Sequence, residues 1–280
     1  MRYQFNKEIF VPGTIIDISI QNADFILAYL FVHSFTNYQM KLIFNKQMYY
    51  EFVNVVTKKA QLKKDEALHK ILCLYGQNIK IDNMDYLNVK NKNTLIIVDI
   101  KNKLYTECKK NKKSDENDNK KNYQTYFAIL EPEMLNKIFN GKIDNKNESK
   151  DKSASLQKII LFYAYYCFWK LKRKFSEDIH HKPNFLYKFN YQIYKDLNIA
   201  DKTLRNIIDF LVDHDVMRVK QLKRINPNGD YENDVTLFTE YREKDKFHEY
   251  SHDDELFYAE KFIKNTRKYK DKSNTKDGDN

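Results

Sequence analysis

The sequence of 280 residues predicts a helix-rich α+β chain: two small modules of similar element order, a polar linker between them, and a disordered C-terminal tail. Three observations lead there. Asn190 to Tyr241 holds two short helical patterns across a tight break, followed by two strand patterns around an Asn-Gly turn. Polar stretches without a core-forming pattern cut the chain at Lys109–Asn122, Gly141–Ser155 and Lys264–Asn280. The N-terminal half repeats the order strand, helix, strand, helix, helix, hairpin. The expected organisation is a module over 1–140 with a disordered insertion near 109–122, a linker over 141–155, a second module over 156–264 and a tail over 265–280.

The second module opens with a helix over Leu156–Lys174, where Leu156, Ile159, Ile160, Tyr163, Cys167 and Leu171 recur at helical spacing. Phe185–Phe189 reads as a strand. Asn190 can N-cap the next helix, whose Ile193 and Leu197 share a face. Asn198 falls where the chain must turn sharply, and Asn tolerates a left-handed backbone. Asp201 or Thr203 can cap the following helix, with Leu204, Ile207, Ile208 and Leu211 as its apolar stripe. Val216–Ile225, the turn Asn226–Asp230 and Val235–Tyr241 complete a hairpin, for which Asn-Gly between alternating strands is a strong signal. A final helix is expected over Asp253–Ile263.

This segment resembles the winged helix-turn-helix superfamily. The turn is Ile199-Ala200, the second helix of the motif starts at Lys202-Thr203-Leu204, and the exit is Asp215-Val216-Met217, where the family commonly has Gly. The resemblance implies a recognition helix that presents Lys202, Thr203, Arg205 and Asn206 to duplex DNA, with Lys220, Lys223 and Arg224 in the wing. Two such modules in one chain are similar to the plasmid replication initiators of bacteria. That likeness implies binding at repeated, AT-rich origin sites, local duplex opening, recruitment of host replication proteins, and a homodimer made through the N-terminal module. Two-domain transcription regulators use the same parts, and winged helices also serve as protein-docking modules without DNA.

In the N-terminal half, Phe10–Ile20 reads as a strand. Asn22 can cap a helix running to Phe35, with Phe25, Ile26, Tyr29, Leu30 and His33 on one face. His33 there reads as a hydrogen-bonded, partly buried histidine rather than a ligand. Lys41–Phe44 is a short strand, and Asn45 can cap a helix over Lys46–Lys58. A helix over Lys63–Tyr75 stops at Gly76. Ile79–Val89 and Thr94–Ile100 flank Lys90–Asn93 as a hairpin in the wing position; Tyr123–Leu130 adds a strand and Pro132–Asn140 a short helix.

The formal charge is +10, from 49 Lys plus Arg against 39 Asp plus Glu, and only 7 of the 49 are Arg. Lys neutralises phosphate as a point charge, whereas Arg reads guanine with two hydrogen bonds. This balance suits backbone attraction more than G-rich readout. An AT-rich coding sequence, which also favours Asn, Ile, Tyr and Phe, accounts for most of the Lys excess. Three scattered cysteines, Cys73, Cys108 and Cys167, form no pair with metal or disulfide spacing, which points to a reducing cytoplasm. The start of the chain has no signal-peptide pattern. The longest apolar run, Ile159–Trp169, is far short of the ~20 residues of a membrane span. A soluble, cytoplasmic protein is expected.

Nothing in the sequence predicts an enzyme. The five glycines are isolated, so no phosphate-binding or dinucleotide loop is present. His180-His181 are adjacent, whereas a relaxase needs two His separated by one residue. Asp253-Asp254-Glu255 sits at a helix start, where the helix dipole explains it. No cofactor and no metal are expected, and double-stranded DNA is the expected partner.

Overall fold

The computed structural model describes residues 4–54, 57–75, 80–81, 84–100, 127–144, 154–172, 185–225, 231–241, 256–257 and 260–261. It is a mixed fold of helices and small antiparallel sheets, in which no described helix is long and apolar enough to cross a membrane. The predicted insertion at 109–122, the tail at 265–280, Gly76, His180-His181 and the turn Asn226–Asp230 lie outside the described residues. Two compact units are present: Met1–Asn136 with Ser155–Leu171, and Lys137–Ala154 with Lys172–Asn280. The helix Leu156–Lys172, read from the sequence as the opening of the second module, therefore belongs by its packing to the first unit.

The first unit runs β1 (Ile9–Pro12), α1 (Gly13–Gln21), α2 (Asp24–Phe35), β2 (Lys41–Phe44), α3 (Lys46–Phe52), α4 (Lys58–Leu74), β3 (Lys80–Ile81), β4 (Met84–Asp85), a 3₁₀ turn (Tyr86–Asn88), β5 (Ile96–Asp99) and β6 (Phe127–Leu130). Helix α6 (Leu156–Lys172) follows, while α5 (Pro132–Asp144) begins in this unit and from Lys137 on belongs to the second. The strand expected over Phe10–Ile20 is mostly helix: only its first residues are extended, in β1, and α1 begins at Gly13. Gly13, Ile15, Ile16 and Ser19 are its buried positions, a helical and not an alternating period. A short β-branched run is ambiguous from sequence, and here packing overrode the β propensity. β1 pairs instead with the distant β6.

α2 is buried from Phe25 through Val32 on every side, so it is the central helix of the unit rather than a one-faced surface helix. Its N-cap is Ala23, and Asn22 acts one step earlier, its side chain accepting from the Asp24 N–H at 3.0 Å. Phe31 is the hub of the core, with ring centroids 4.9 Å from Tyr49 and 5.4 Å from both Phe44 and Phe52. Asn45 caps α3 as expected, accepting from Met48 N–H at 2.8 Å. That helix ends at Phe52, short of Lys58, because Asn54 takes a left-handed φ of 51°. α4 then starts earlier than predicted, at Lys58, with Thr57 as its cap.

The hairpin expected between Ile79–Val89 and Thr94–Ile100 is not formed. β5 pairs antiparallel with β2, from Lys41↔Asp99 to Phe44↔Ile96, while β3 pairs with β4. The reason lies in alternation. Leu42 and Phe44 on β2 and Ile96 and Val98 on β5 are all buried, so the two strands present one matched apolar face to the core.

A buried polar network ties α3 to α4. Asp65 accepts from Lys46 Nζ at 3.2 Å and from Tyr50 O–H at 2.7 Å, and Tyr49 O–H donates to the Lys64 carbonyl at 3.1 Å. Lys64 in turn pairs with Asp24 at the start of α2. Burial, then the hydrogen bond to Asp65, pushes the Tyr50 phenol well above its ordinary value, so it remains a donor. On the other side of α2, His33 Nε2 meets Tyr75 O–H at 2.5 Å. Burial, with a smaller contribution from the Lys7 charge, lowers the His33 pKa from 6.5 to about 4. The imidazole is therefore neutral and hydrogen-bonded to the phenol, in line with its reading as a hydrogen-bonded, partly buried histidine.

The second unit contains β7 (Phe185–Phe189), α7 (Asn190–Asp196), α8 (Asp201–Asp213), β8 (Met217–Ile225) and β9 (Tyr231–Glu240). These form a three-stranded antiparallel sheet in the order β7-β9-β8. The central strand β9 is longer than predicted and is buried throughout Thr236–Glu240. Asn198 and Asp215 have left-handed φ values of 49° and 52°, closing α7 and α8 as their residue types allow. Leu256, within the predicted last helix, packs on Phe185, Leu222 and Leu237; the four described residues of that helix are helical. α5 continues four residues into the predicted linker, to Asp144.

Two outcomes test this architecture. Asp65→Ala strands a buried ammonium and a buried hydroxyl, and is expected to cost about 3–5 kcal/mol in urea unfolding. For His33 the unfolded chain binds a proton more readily than the folded one. Its contribution is intact above pH 6.5 and is lost as pH falls toward 4, about 3 kcal/mol in all at 1.36 kcal/mol per unit. Comparing stability against pH for the wild type and His33→Gln should show the wild-type curve falling more steeply in that window.

Candidate nucleic-acid interface

α8 is amphipathic, with Leu204, Ile207, Phe210 and Leu211 buried. Phe210 takes the place in the stripe that the sequence assigned to Ile208, which is only half-buried. Of the predicted recognition residues, Lys202 and Arg205 are exposed, while Thr203 and Asn206 are half-buried. Neither expected cap operates. Ala200 is the N-cap of α8 and makes no side-chain bond. The Asp201 carboxylate lies in the first turn instead, 2.6 Å from the Arg205 guanidinium one turn on. Asn190 likewise does not cap α7: Phe189 holds that place, and the Asn190 side-chain oxygen accepts from Thr236 O–H at 2.8 Å. This bond ties the start of α7 to the central strand, and Lys188–Asp196 at 2.6 Å ties β7 to the end of α7.

Between α8 and the sheet lies an open cleft of about 320 Å³, lined by Asn190, Arg205, Ile208, Asp209, Val219, Gln221 and Thr236. Strand alternation explains its membership. Gln221 stands opposite Thr236 in the register and Val219 two residues away, so all three share the sheet face toward α8. Lys220 falls on the other face, beside Leu222 and Leu237, and pairs with Glu260. It lies in β8, the strand in which the sequence groups it with the wing cations, but not on the sheet face toward α8. Period-two alternation could have separated it in advance. The side chains of Lys223 and Arg224 lie outside the described residues; their backbones are in β8.

The cleft thus brings Arg205 together with four polar groups that sequence reasoning missed: Asn190, Asp209, Gln221 and Thr236. No pattern along the chain marks them, because four separate elements (α7, α8, β8 and β9) must fold to bring them together. Arg205 is open to solvent, its side chain 73% exposed even while it pairs with Asp201.

The far end of α8 is held by α5. The Gly141 backbone lies so close to the His214 ring that a Cβ there would overlap it. That ring has little freedom to retreat. It stacks on Phe210 at 4.1 Å between centroids, and its Nδ1–H donates to the Phe210 carbonyl at 2.8 Å. Lys142 over the Phe210 ring and Lys137 bonded to the Asp215 carbonyl at 3.2 Å complete the junction.

No known protein family matches this chain, and no curated protein is similar to it in sequence.

Gly141→Ala should cost about 1–2 kcal/mol: the overlap outweighs the gain of roughly 1 kcal/mol that Ala brings to a helix. In a His214→Ala background, where the overlap is gone, the same Gly141→Ala change should cost nothing or stabilise slightly in the same unfolding assay.

Proposed function

We propose that the chain binds double-stranded DNA with sequence selectivity, α8 lying in the major groove and the β8–β9 hairpin acting as the wing. The observation that carries this reading is the topology of the second unit. A strand, two helices across a left-handed turn and a closing hairpin, in the order β7-β9-β8, leave the outer face of α8 and its N-terminal half open. That is the arrangement by which winged helices present base-reading side chains. Lys202, Thr203, Arg205 and Asn206 are the reading positions, with Lys223 and Arg224 as wing cations.

The first unit supports a tandem arrangement. There too, a strand leads straight into a short helix, a second helix follows, and the first strand pairs with the closing one: β2 with β5, as β7 with β9. An asparagine with left-handed φ stands two residues past α3 and past α7, at 51° for Asn54 and 49° for Asn198. Two modules of this kind favour a replication initiator acting in the cytoplasm on repeated, AT-rich sites, as a homodimer that recruits host replication proteins. A regulator of transcription would use the same side chains at a palindrome. Directly repeated segments beside the gene, each about two helical turns long, favour the initiator.

A second reading, docking to protein without DNA, is favoured by the carboxylates Asp201, Asp209 and Asp213 on α8. A gel shift at low salt decides between them, since absence of any duplex binding overturns the DNA reading. If DNA binds, Arg205→Ala with Asn206→Ala should erode discrimination between sequences by about 1–3 kcal/mol for each base edge no longer read. Lys202→Ala should instead weaken binding to all sequences and lower the salt slope by about one unit.

A further inference from the structure

The exposed face of α8 carries a charge balance that attraction to phosphate does not explain. Asp201, Asp209 and Asp213 outnumber Lys202 and Arg205 there, in a chain whose formal charge is +10. Each carboxylate brought near a DNA backbone repels it, so a helix that served only to hold phosphate would gain from the opposite balance. Two of the three do not line the cleft. Asp201 is paired with Arg205, and Asp213 stands at the last position of the helix. Asp209 is different. It is exposed, sits one turn beyond Arg205, pairs with no cation among the described residues, and opens on the cleft that holds Asn190, Gln221 and Thr236.

We propose that Asp209 is a specificity-determining residue of this interface, accepting a hydrogen bond from the exocyclic amino group of an adenine or cytosine whose major-groove edge enters the cleft. The proposal rests on the duplex-DNA reading above. In the major groove the donors are adenine N6 and cytosine N4; guanine offers only N7 and O6 acceptors, and thymine O4 and a methyl group. An ionised carboxylate is acceptor-only. Opposite adenine or cytosine it is satisfied, and opposite guanine or thymine it faces an acceptor with no donor between. It therefore selects by penalising the wrong base, at the expense of general affinity. Gln221, exposed on the same sheet face, brings an amide of the type that pairs with adenine N6 and N7. The Asp201 carboxylate holds Arg205 in place beside it. Arg205 and Asp209 are separated by about 6 Å of helix rise, so they address positions one or two base steps apart.

The test is selection of binding sites from a random duplex library by the full-length protein, as wild type, Asp209→Asn and Gln221→Ala, with thermal melts to verify that each variant is folded. The wild type should enrich a motif with adenine or cytosine at one position. Asp209→Asn should lose the rejection of guanine and thymine there by between roughly fivefold and a hundredfold, leave the neighbouring positions unchanged, and bind random duplex more tightly. If Asp209→Asn enriches the same motif as the wild type and merely binds everything more tightly, Asp209 is a repulsive surface charge; the proposal then fails while DNA binding stands. If the wild type binds no duplex, the DNA reading and this proposal fail together.

Discussion

Each unit contains a long-range pairing, in which the strand that leads into a short helix (α3 or α7) lies antiparallel to a strand far along the chain. In the first unit this joins Phe44 to Ile96, and in the second Phe189 to Val235. Joining ends so far apart costs loop entropy, and the cost is offset only because the paired strands complete an apolar face. The pairing confines two helices between fixed ends, so the chain must reverse within a few residues of that short helix. That reversal needs a residue tolerant of positive φ, and Asn54 and Asn198 supply it. The short length of α3 and α7 follows from the same constraint.

The two units fill the space so created differently. The first places α2 at its centre, buried on all sides, and uses aromatic rings around Phe31 to pack its neighbours. Its polar network of Asp65, Lys46 and Tyr50 adds little stability over an apolar cluster of equal volume. What it adds is register, because one carboxylate can meet an ammonium and a hydroxyl from α3 only at one rotation of α4. The second unit joins its parts through the Thr236–Asn190 hydrogen bond, the Lys188–Asp196 ion pair and the Gly141–His214 approach.

On α8 the physical question is what charge does there. The chain's Lys excess is spread over the whole sequence, whereas the open face of this helix is balanced toward carboxylate. Under the proposed DNA reading, general attraction and local selection would then be the work of different residues. Lysines elsewhere can draw a polyanion in, and the few donors and acceptors of the cleft are free to discriminate. A docking surface for a basic protein would draw on the same carboxylates, and the two uses differ in whether a donor on a base edge or a cation on a partner meets them.

Much of the second unit was legible in the sequence. The strand Phe185–Phe189, the two helices, the left-handed Asn198 and Asp215 and the start of β8 follow from local spacing and residue type. Less of the first unit was. α1 departs from expectation because a run of β-branched residues suits a strand locally, and the expected second hairpin failed because adjacency in sequence favoured a partner that packing did not. For the interface, the sequence by itself determined which residues ride on α8 and that Arg205 would be exposed. Only the tertiary structure decided that Lys220 meets Glu260, that Asn190 bonds to Thr236 instead of capping its helix, and that Asp209 and Gln221 share a cleft with Arg205. The physical reason is range. Helical periodicity and capping act over a few residues, whereas strand register joins groups tens of residues apart, through hydrogen bonds that leave no local mark in the chain.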